Sequence, residues 1–221
     1  MGVMIPVRRI VWKPCWRIIP SRYPSIHPFE RVADPDDFEL LCEIESITND
    51  RLHEEDRVSG PGSLYIMAAM THLNPQGSRF SDGTWGVYYA AREFDTAIAE
   101  TRYHRTLFML ATREKPMNLE MRVLTADLKG NLHDIREPGV VSKEVYSPQR
   151  YGASQKIAQR LRSRNSPGIV YHSVRKEKGQ CVAVFQPTVL SHCRIVKHLI
   201  YRWDGAVIRD VYEIREIRAD A

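Results

Sequence analysis

Residues 78–104 read SRFSDGTWGVYYAAREFDTAIAETRYH, and three kinds of local structure follow one another within them. The lead-in, NPQGSRFSDGT over residues 74–84, is dominated by glycine, proline, serine, asparagine and aspartate, the composition of a loop. GVYYAA over residues 86–91 reads as a short strand, on which Tyr88 and Tyr89 point to opposite faces. One of the two tyrosines then belongs to a core and the other to a cleft or to solvent. Asp95 is placed to cap a helix, TAIAETRYHRTLFMLAT, with Phe94, Ala97, Ile98, Thr101 and Phe108 on one side at helical spacing. A loop, a strand and a helix in that order set up a mixed domain.

Outward from this stretch the pattern continues. SLYIMAAMTHL, after the Ser59-Gly60-Pro61-Gly62 turn signal, suits a short buried helix. Leu119, Met121, Val123 and Thr125 recur at period two, so LEMRVLTAD reads as a strand. Residues 149–164 form a basic amphipathic helix with Ile157, Ala158 and Leu161 inward. GIVYHSV, CVAVFQP, RIVKHLIYRW and VIRDVYEIREI are further strand candidates. Strands gathered late with helices gathered earlier argue for the α+β class, a single mixed domain around a strongly twisted or split sheet. Four prolines, Pro14, Pro20, Pro24 and Pro28, forbid a long helix over residues 12–30, which read as an extended arm wrapping the domain. Asp34-Pro35-Asp36-Asp37 is a helix start, with the helix running to about Ser46 and Phe38, Leu41, Cys42 and Glu45 sharing a face. Residues 1–60 are thus expected to be an arm plus a helix packed on one domain that spans residues 1–221.

Composition narrows the class. The chain has 221 residues, 43% apolar and 27% charged, ordinary for a soluble globular protein. A chain of this length buries roughly 70% of its unfolded surface and needs no staples. No apolar run approaches the roughly 20 residues that span a bilayer, and the start resembles no signal peptide, so a cytoplasmic protein away from membranes is expected. Cys15, Cys42, Cys181 and Cys193 form no C-x-x-C pair and read as free thiols. The formal charge of +5 suits nucleic acid, an acidic partner or an anionic small molecule alike.

Four residues stand out for their chemistry. Arg79 lies in a glycine-flanked loop where backbone can approach a ligand, and its fork of donors suits a diphosphate; the plain alternative is a solvated arginine. Tyr89 is either core or cleft. Glu100 falls at the edge of the apolar arc of its helix, which makes it partly buried, as a functional acid or as a structural partner of Arg102 or His104. Ser173 sits on the strand GIVYHSV and alone signals nothing. No G-x-S-x-G elbow surrounds it, and His172 points away from it, so a serine hydrolase is unsupported.

Taken together, SRFSDGTWGVYYAAREFDTAIAETRYH resembles the core of the RES domain, named for its arginine, glutamate and serine. Arg79 stands ten residues before Tyr89, and Glu100 eleven after it, as in that family. SPGIVYHSVRKEKGQCVAVFQP resembles the family's later block, a strand carrying Ser-x-Arg followed by one ending in Phe-x-Pro. The resemblance runs from about Trp16 to Pro187; Phe80 departs from it, standing where many members have tryptophan. It implies a split sheet resembling the ADP-ribosyltransferase fold and a toxin of a bacterial toxin–antitoxin pair. The implied substrate is NAD⁺, cleaved at its nicotinamide–ribose bond, with ADP-ribose passed to a protein, to water or to phosphate. Under that resemblance Glu100 stabilises the cationic ribose, Arg79 holds the diphosphate or ribose, Tyr89 positions nicotinamide and Ser173 fixes an orientation. Glu100, Arg79 and Ser173 are the catalytic set, and Arg79, Tyr89 and Ser173 the NAD⁺-binding set. The chemistry requires no metal. The implied partner is an antitoxin with a helix-turn-helix DNA-binding region, and the toxin itself is not expected to bind DNA. A rival reading takes the basic helix over residues 149–164 as a nucleic-acid-binding or RNA-cleaving surface, its bland counterpart being a solvated face.

Overall fold

The computed structural model describes residues 4–21 and 57–215. The helix expected near residues 34–46, Cys42, and the part of the arm beyond Ser21 lie outside the described residues. Seven strands form one sheet in the order β1-β2-β5-β4-β3-β6-β7, with a further pairing between β1 and β3. They are β1 (Val7–Pro20), β2 (Tyr88–Ala91), β3 (Met117–Asp134), β4 (Gly168–His172), β5 (Gln180–Val184), β6 (Leu190–Trp203) and β7 (Ile208–Ile214). Three helices accompany them among the described residues: α1 (Ser63–Thr71), α2 (Phe94–Thr112) and α3 (Gly152–Arg162). The α+β class and the split sheet both hold. Long β1, β3, β6 and β7 make one part, and short β2, β5 and β4 the other. The parts meet where β3 runs parallel to β4 through His133↔Ile169 and Asp134↔Val170, and where Trp16 of β1 pairs with Ala91 of β2. Every pairing except β3–β4 is antiparallel. Strands β1, β2, β5, β4 and β3 therefore form a closed circuit of pairings.

The largest difference from the sequence reading is β1. Residues 7–20 do not wrap the domain; they pair with β3 from Val7↔His133 to Pro20↔Met121. The register slips between Trp12 and Cys15, where Pro14 has no amide hydrogen for the ladder. A bulge is how a strand accommodates that loss. The expected strand over residues 119–127 is likewise longer, 18 residues, because both of its edges are used. Its centre, Val123 to Ala126, is buried without alternation, the signature of a strand covered on both faces.

The core has two parts, one on each face of the sheet. Tyr88 packs with Leu124, Leu128, Leu132, Val182 and the α1 residues Ile66 and Met70. Tyr89, one residue on, packs against the other part with Phe80, Tyr171, Cys181 and Ala183. Helix α2 covers that second part and is fixed at several points. Thr101 and Tyr201 share a hydroxyl–hydroxyl bond of 2.7 Å, and the Trp203 indole donates to the Glu114 carbonyl at 2.9 Å. Its N-cap is Glu93, with no side-chain capping bond, so Asp95 lies inside the first turn and acts on the helix dipole instead. Phe108, expected on the buried side, is 49% exposed; the Arg105 guanidinium covers its ring at 4.9 Å, and Met109 is buried in its place. Cys15, Cys181 and Cys193 are free and buried. No described helix is long and apolar enough to cross a membrane.

Entry into β2 depends on a close backbone contact. A Cβ built on Gly86 would stand 2.3 Å from the Met70 carbonyl oxygen at the end of α1. Backbone cannot move aside as a side chain can, so only glycine fits. Gly86→Ala is expected to lower stability by about 1–3 kcal/mol or more through overpacking. Urea unfolding checks this, and an unchanged midpoint contradicts the contact.

Candidate active site

The loop before β2 is tied down from two sides. Ser78 and Ser81 pair as an isolated bridge, and the Gln155 side chain, from α3, donates to the carbonyls of Ser78 at 2.9 Å and Ser81 at 3.1 Å. From below, the Tyr89 hydroxyl accepts the Phe80 amide hydrogen at 2.9 Å and shares a 2.8 Å bond with the Ser78 hydroxyl. Burial pushes the Tyr89 phenol up to about 12, against those hydrogen bonds and the Arg79 charge, so it is neutral throughout the working range of pH. Sequence reading left Tyr89 as core or cleft. The structure makes its hydroxyl the post on which the Arg79 loop rests.

Arg79 itself is only 8% exposed, so the solvated alternative does not hold. One guanidinium nitrogen donates to the Val145 carbonyl at 2.9 Å, and the Tyr151 ring lies 4.9 Å from its Cζ. Val145 is placed by the turn Lys143–Tyr146, whose Tyr146 hydroxyl donates to the Ile135 carbonyl at 2.8 Å. Among the described residues no carboxylate lies within ion-pair distance of Arg79. A buried cation without a counter-charge is costly, and an anionic ligand would relieve it.

Glu100 and Ser173 are 73 residues apart in the chain and in direct contact. The Ser173 hydroxyl donates to Glu100 Oε1 at 2.6 Å. The direction of that bond follows from its surroundings. Ser173 lies just past β4, and its Oγ accepts the backbone N–H groups of Arg175 and Lys176, each at 3.0 Å. A hydroxyl has two acceptor positions and one proton, so with both acceptor positions filled its proton goes to the carboxylate. The Cys181 thiol stands 3.9 Å from the same Oε1, brought there by the β4–β5 register Tyr171↔Cys181. The side chain of Glu100 keeps 20% of its surface open, as its place at the edge of the apolar arc predicts.

His104, one turn beyond Glu100, has its Nε2 4.0 Å from Glu100 Oε2. Desolvation on its packed side, and then the charges of Arg175, Arg79 and Arg105, lower its imidazole to about 4. Because 52% of the side chain remains open, the cations are the sturdier cause. At neutral pH the ring is therefore uncharged, and its contact with Glu100 is not an ion pair. Of the structural partners foreseen for Glu100, His104 stands beside Oε2 while Ser173 holds Oε1, and Arg102 makes no ion pair with it among the described residues.

The two halves of the site share a wall. Phe80 meets Tyr171 edge-on with ring centroids 4.9 Å apart, and Tyr171 lies where both the Glu100 and the Arg79 charges act on it. Burial raises its phenol, and that of the Cys181 thiol, well above the ordinary values. Sequence reading missed Cys181, Tyr171, Tyr151 and Arg175 as members of this group. The spacing of two between Tyr171, on β4, and Ser173, just past its end, is the signal that could have pointed to Tyr171. Two cavities lie elsewhere: about 300 Å³ lined by Arg8, Asp134, Arg136 and His172 among others, and about 510 Å³ between the α1 region and the start of β6. On α3, Lys156, Arg160 and Arg162 are exposed, as are Arg150 and Arg164 at its flanks, while Gln155 faces the Arg79 loop. The helix thus has a supporting role that its charge does not reveal.

The neutral state of His104 is directly measurable. Its ring signals in an NMR titration are expected to move with a midpoint near pH 4, and removing the Arg175 charge by Arg175→Ala should raise that midpoint. A midpoint near 6.5 in the wild type contradicts the cationic surroundings.

The chain is similar to known proteins in sequence and in fold. The family model of the RES domain matches residues 54–204. The "Uncharacterized protein y4oC" of Sinorhizobium fredii (strain NBRC 101917 / NGR234) is 29% identical over 205 residues, covering 89% of this chain and 86% of that protein. Among solved structures, a chain of the M. tuberculosis MbcT–MbcA toxin–antitoxin complex has a TM-score of 0.50 at 11% identity and is covered over 86% of both chains. That likeness is one of fold. With the family model spanning well over half of the sequence, and Arg79, Glu100 and Ser173 gathered around one wall, the chain belongs to the RES-domain family.

Proposed function

We propose that this protein is the toxin of a bacterial toxin–antitoxin pair, an ADP-ribosyl-transfer enzyme that cleaves the nicotinamide–ribose bond of NAD⁺. The observation that carries the reading is the Ser173–Glu100 contact of 2.6 Å, set beside a buried and unneutralised Arg79. When the glycosidic bond breaks, its electron pair leaves with nicotinamide and positive charge develops on the ribose, as in glycoside hydrolysis. A carboxylate held at a fixed angle stabilises that charge without having to reorganise. Glu100 supplies the carboxylate, and Ser173 holds it. Arg79 takes the diphosphate or the ribose through its fork of donors. Tyr89 offers its ring to nicotinamide and its hydroxyl to the Arg79 loop. The ADP-ribosyl group then passes to an acceptor nucleophile, which is a protein side chain, water or phosphate.

Such an activity would deplete or divert the NAD⁺ of its own cell, so it calls for a tight inhibitor. The solved structure of like fold is a toxin bound to its antitoxin, which supports a cognate antitoxin here, one that would carry the helix-turn-helix DNA-binding region itself. The simplest inhibition places an antitoxin carboxylate against Arg79, where the cation has no acidic partner among the described residues.

Glu100→Gln keeps the shape of the side chain and removes its charge. Nicotinamide release from NAD⁺ is expected to fall about 10²- to 10³-fold, and expression of the variant should no longer arrest growth. Near-normal NAD⁺ consumption by this variant contradicts the assignment.

A further inference from the structure

Arg175 has no part in the machinery above, yet it lies across the same site. It follows Ser173 by two residues, and its own amide donates to the Ser173 hydroxyl. Its guanidinium stacks on the Tyr103 ring of α2 with Cζ 3.3 Å from the centroid, one residue from His104 and three from Glu100. A terminal nitrogen donates to the Pro148 carbonyl, in the segment that leads to Tyr151, the ring over which Arg79 lies. Arg175 therefore reaches from the Glu100 helix to the bank that carries the Arg79 contacts. Its charge acts on His104 ahead of that of Arg79. Among the described residues no carboxylate pairs with it, and its Nε is buried with no hydrogen-bond partner.

That combination is unusual for a structural arginine. Buried donors in folded proteins are almost always satisfied, and a stacked guanidinium without an acid keeps one edge of its fork available for a planar or tetrahedral oxyanion. The geometry points to Arg175 as a second substrate-binding arginine, which takes a phosphate of the nucleotide diphosphate opposite Arg79. Tyr103 acts as the platform that holds the fork flat, and the Pro148 carbonyl keeps one nitrogen engaged until phosphate oxygens replace it. The two cations then bracket the diphosphate from the two banks of the cleft, and the ribose next to it is delivered to Glu100. This assignment rests on the NAD⁺ reading above and adds to it the residue that makes the site select a diphosphate.

The test separates the two claims by using ADP, which carries the diphosphate without the reacting bond, and adenosine, which lacks the phosphates. Calorimetry on the full-length protein should show R175Q weakening ADP binding about ten- to a hundredfold, with any adenosine affinity unchanged. R175K, which keeps the charge and loses the fork, should fall between wild type and R175Q. In turnover, R175Q should raise KM for NAD⁺ by a similar factor and leave kcat within a few-fold. A wild type that consumes NAD⁺ while R175Q and R175K bind ADP like the wild type overturns the Arg175 assignment and leaves Glu100 in place. A wild type that neither consumes NAD⁺ nor binds ADP overturns both. Should R175Q fail to fold, R175K decides alone: a loss of about tenfold in ADP affinity supports the assignment, and wild-type affinity overturns it.

Discussion

The hydroxyl of Ser173 has a single proton, and two backbone amides fill its acceptor positions, so the proton is directed onto Glu100 Oε1 at 2.6 Å. A carboxylate at the edge of a core is otherwise free to choose among rotamers and among cationic neighbours. Here the turn after β4 chooses for it. The turn is in turn set by the strand pair, since the Ser173 amide donates to the Gly179 carbonyl at 2.9 Å where β4 hands over to β5. The orientation of one acid is thus a consequence of sheet register, and helix α2 is pinned to β6 by Thr101 and Trp203 so that the acid arrives at the right height. A charge-assisted hydrogen bond of this kind contributes about 1.5–3 kcal/mol, enough to hold one conformation against the alternatives.

The cationic half of the site is organised on a different principle. Arg79 is not held by an acid. It is held by a carbonyl, an aromatic ring and a loop whose backbone is tied by Tyr89 and Gln155. Each of these neighbours positions the guanidinium without neutralising it. An ion pair would have been easier to build and would have left nothing for a ligand. Desolvation and then the same cations keep His104 neutral, so its contact with Glu100 is not a salt bridge. Tyr171, packed edge-on against Phe80, feels both the Glu100 and the Arg79 charges.

Much of this was legible in the sequence where local rules act alone. The loop over residues 74–84, the opposite facing of Tyr88 and Tyr89, and the edge position of Glu100 all follow from composition and periodicity. Arg79, Tyr89, Glu100 and Ser173 stand out in the sequence only when taken together, through the resemblance of their type, order and spacing to the RES family. What sequence could not reveal depends on pairing at long range. Residues 7–20 look like an irregular, proline-broken arm, and become a strand only because β3 offers an edge and a bulge absorbs Pro14. The Ser173–Glu100 contact is invisible in a sequence where 73 residues separate the partners. Phe108 falls on the buried arc of an ideal helix, but of the last two turns of α2 only Met109 is buried, because burial depends on where the underlying sheet lies. The basic stripe of α3 suggested a phosphate surface, while the residue of that helix that bears on the site is the neutral Gln155.

The central claim is that Ser173 acts through Glu100, as the group that orients it. A double-mutant cycle on the rate of nicotinamide release from NAD⁺ tests this most directly, with Ser173→Ala, Glu100→Gln and the double variant compared with the wild type. Residues that work as one unit are strongly non-additive. The account predicts that Ser173→Ala slows the wild type but has little further effect once Glu100 has lost its charge. Two independent, fully additive losses would contradict it.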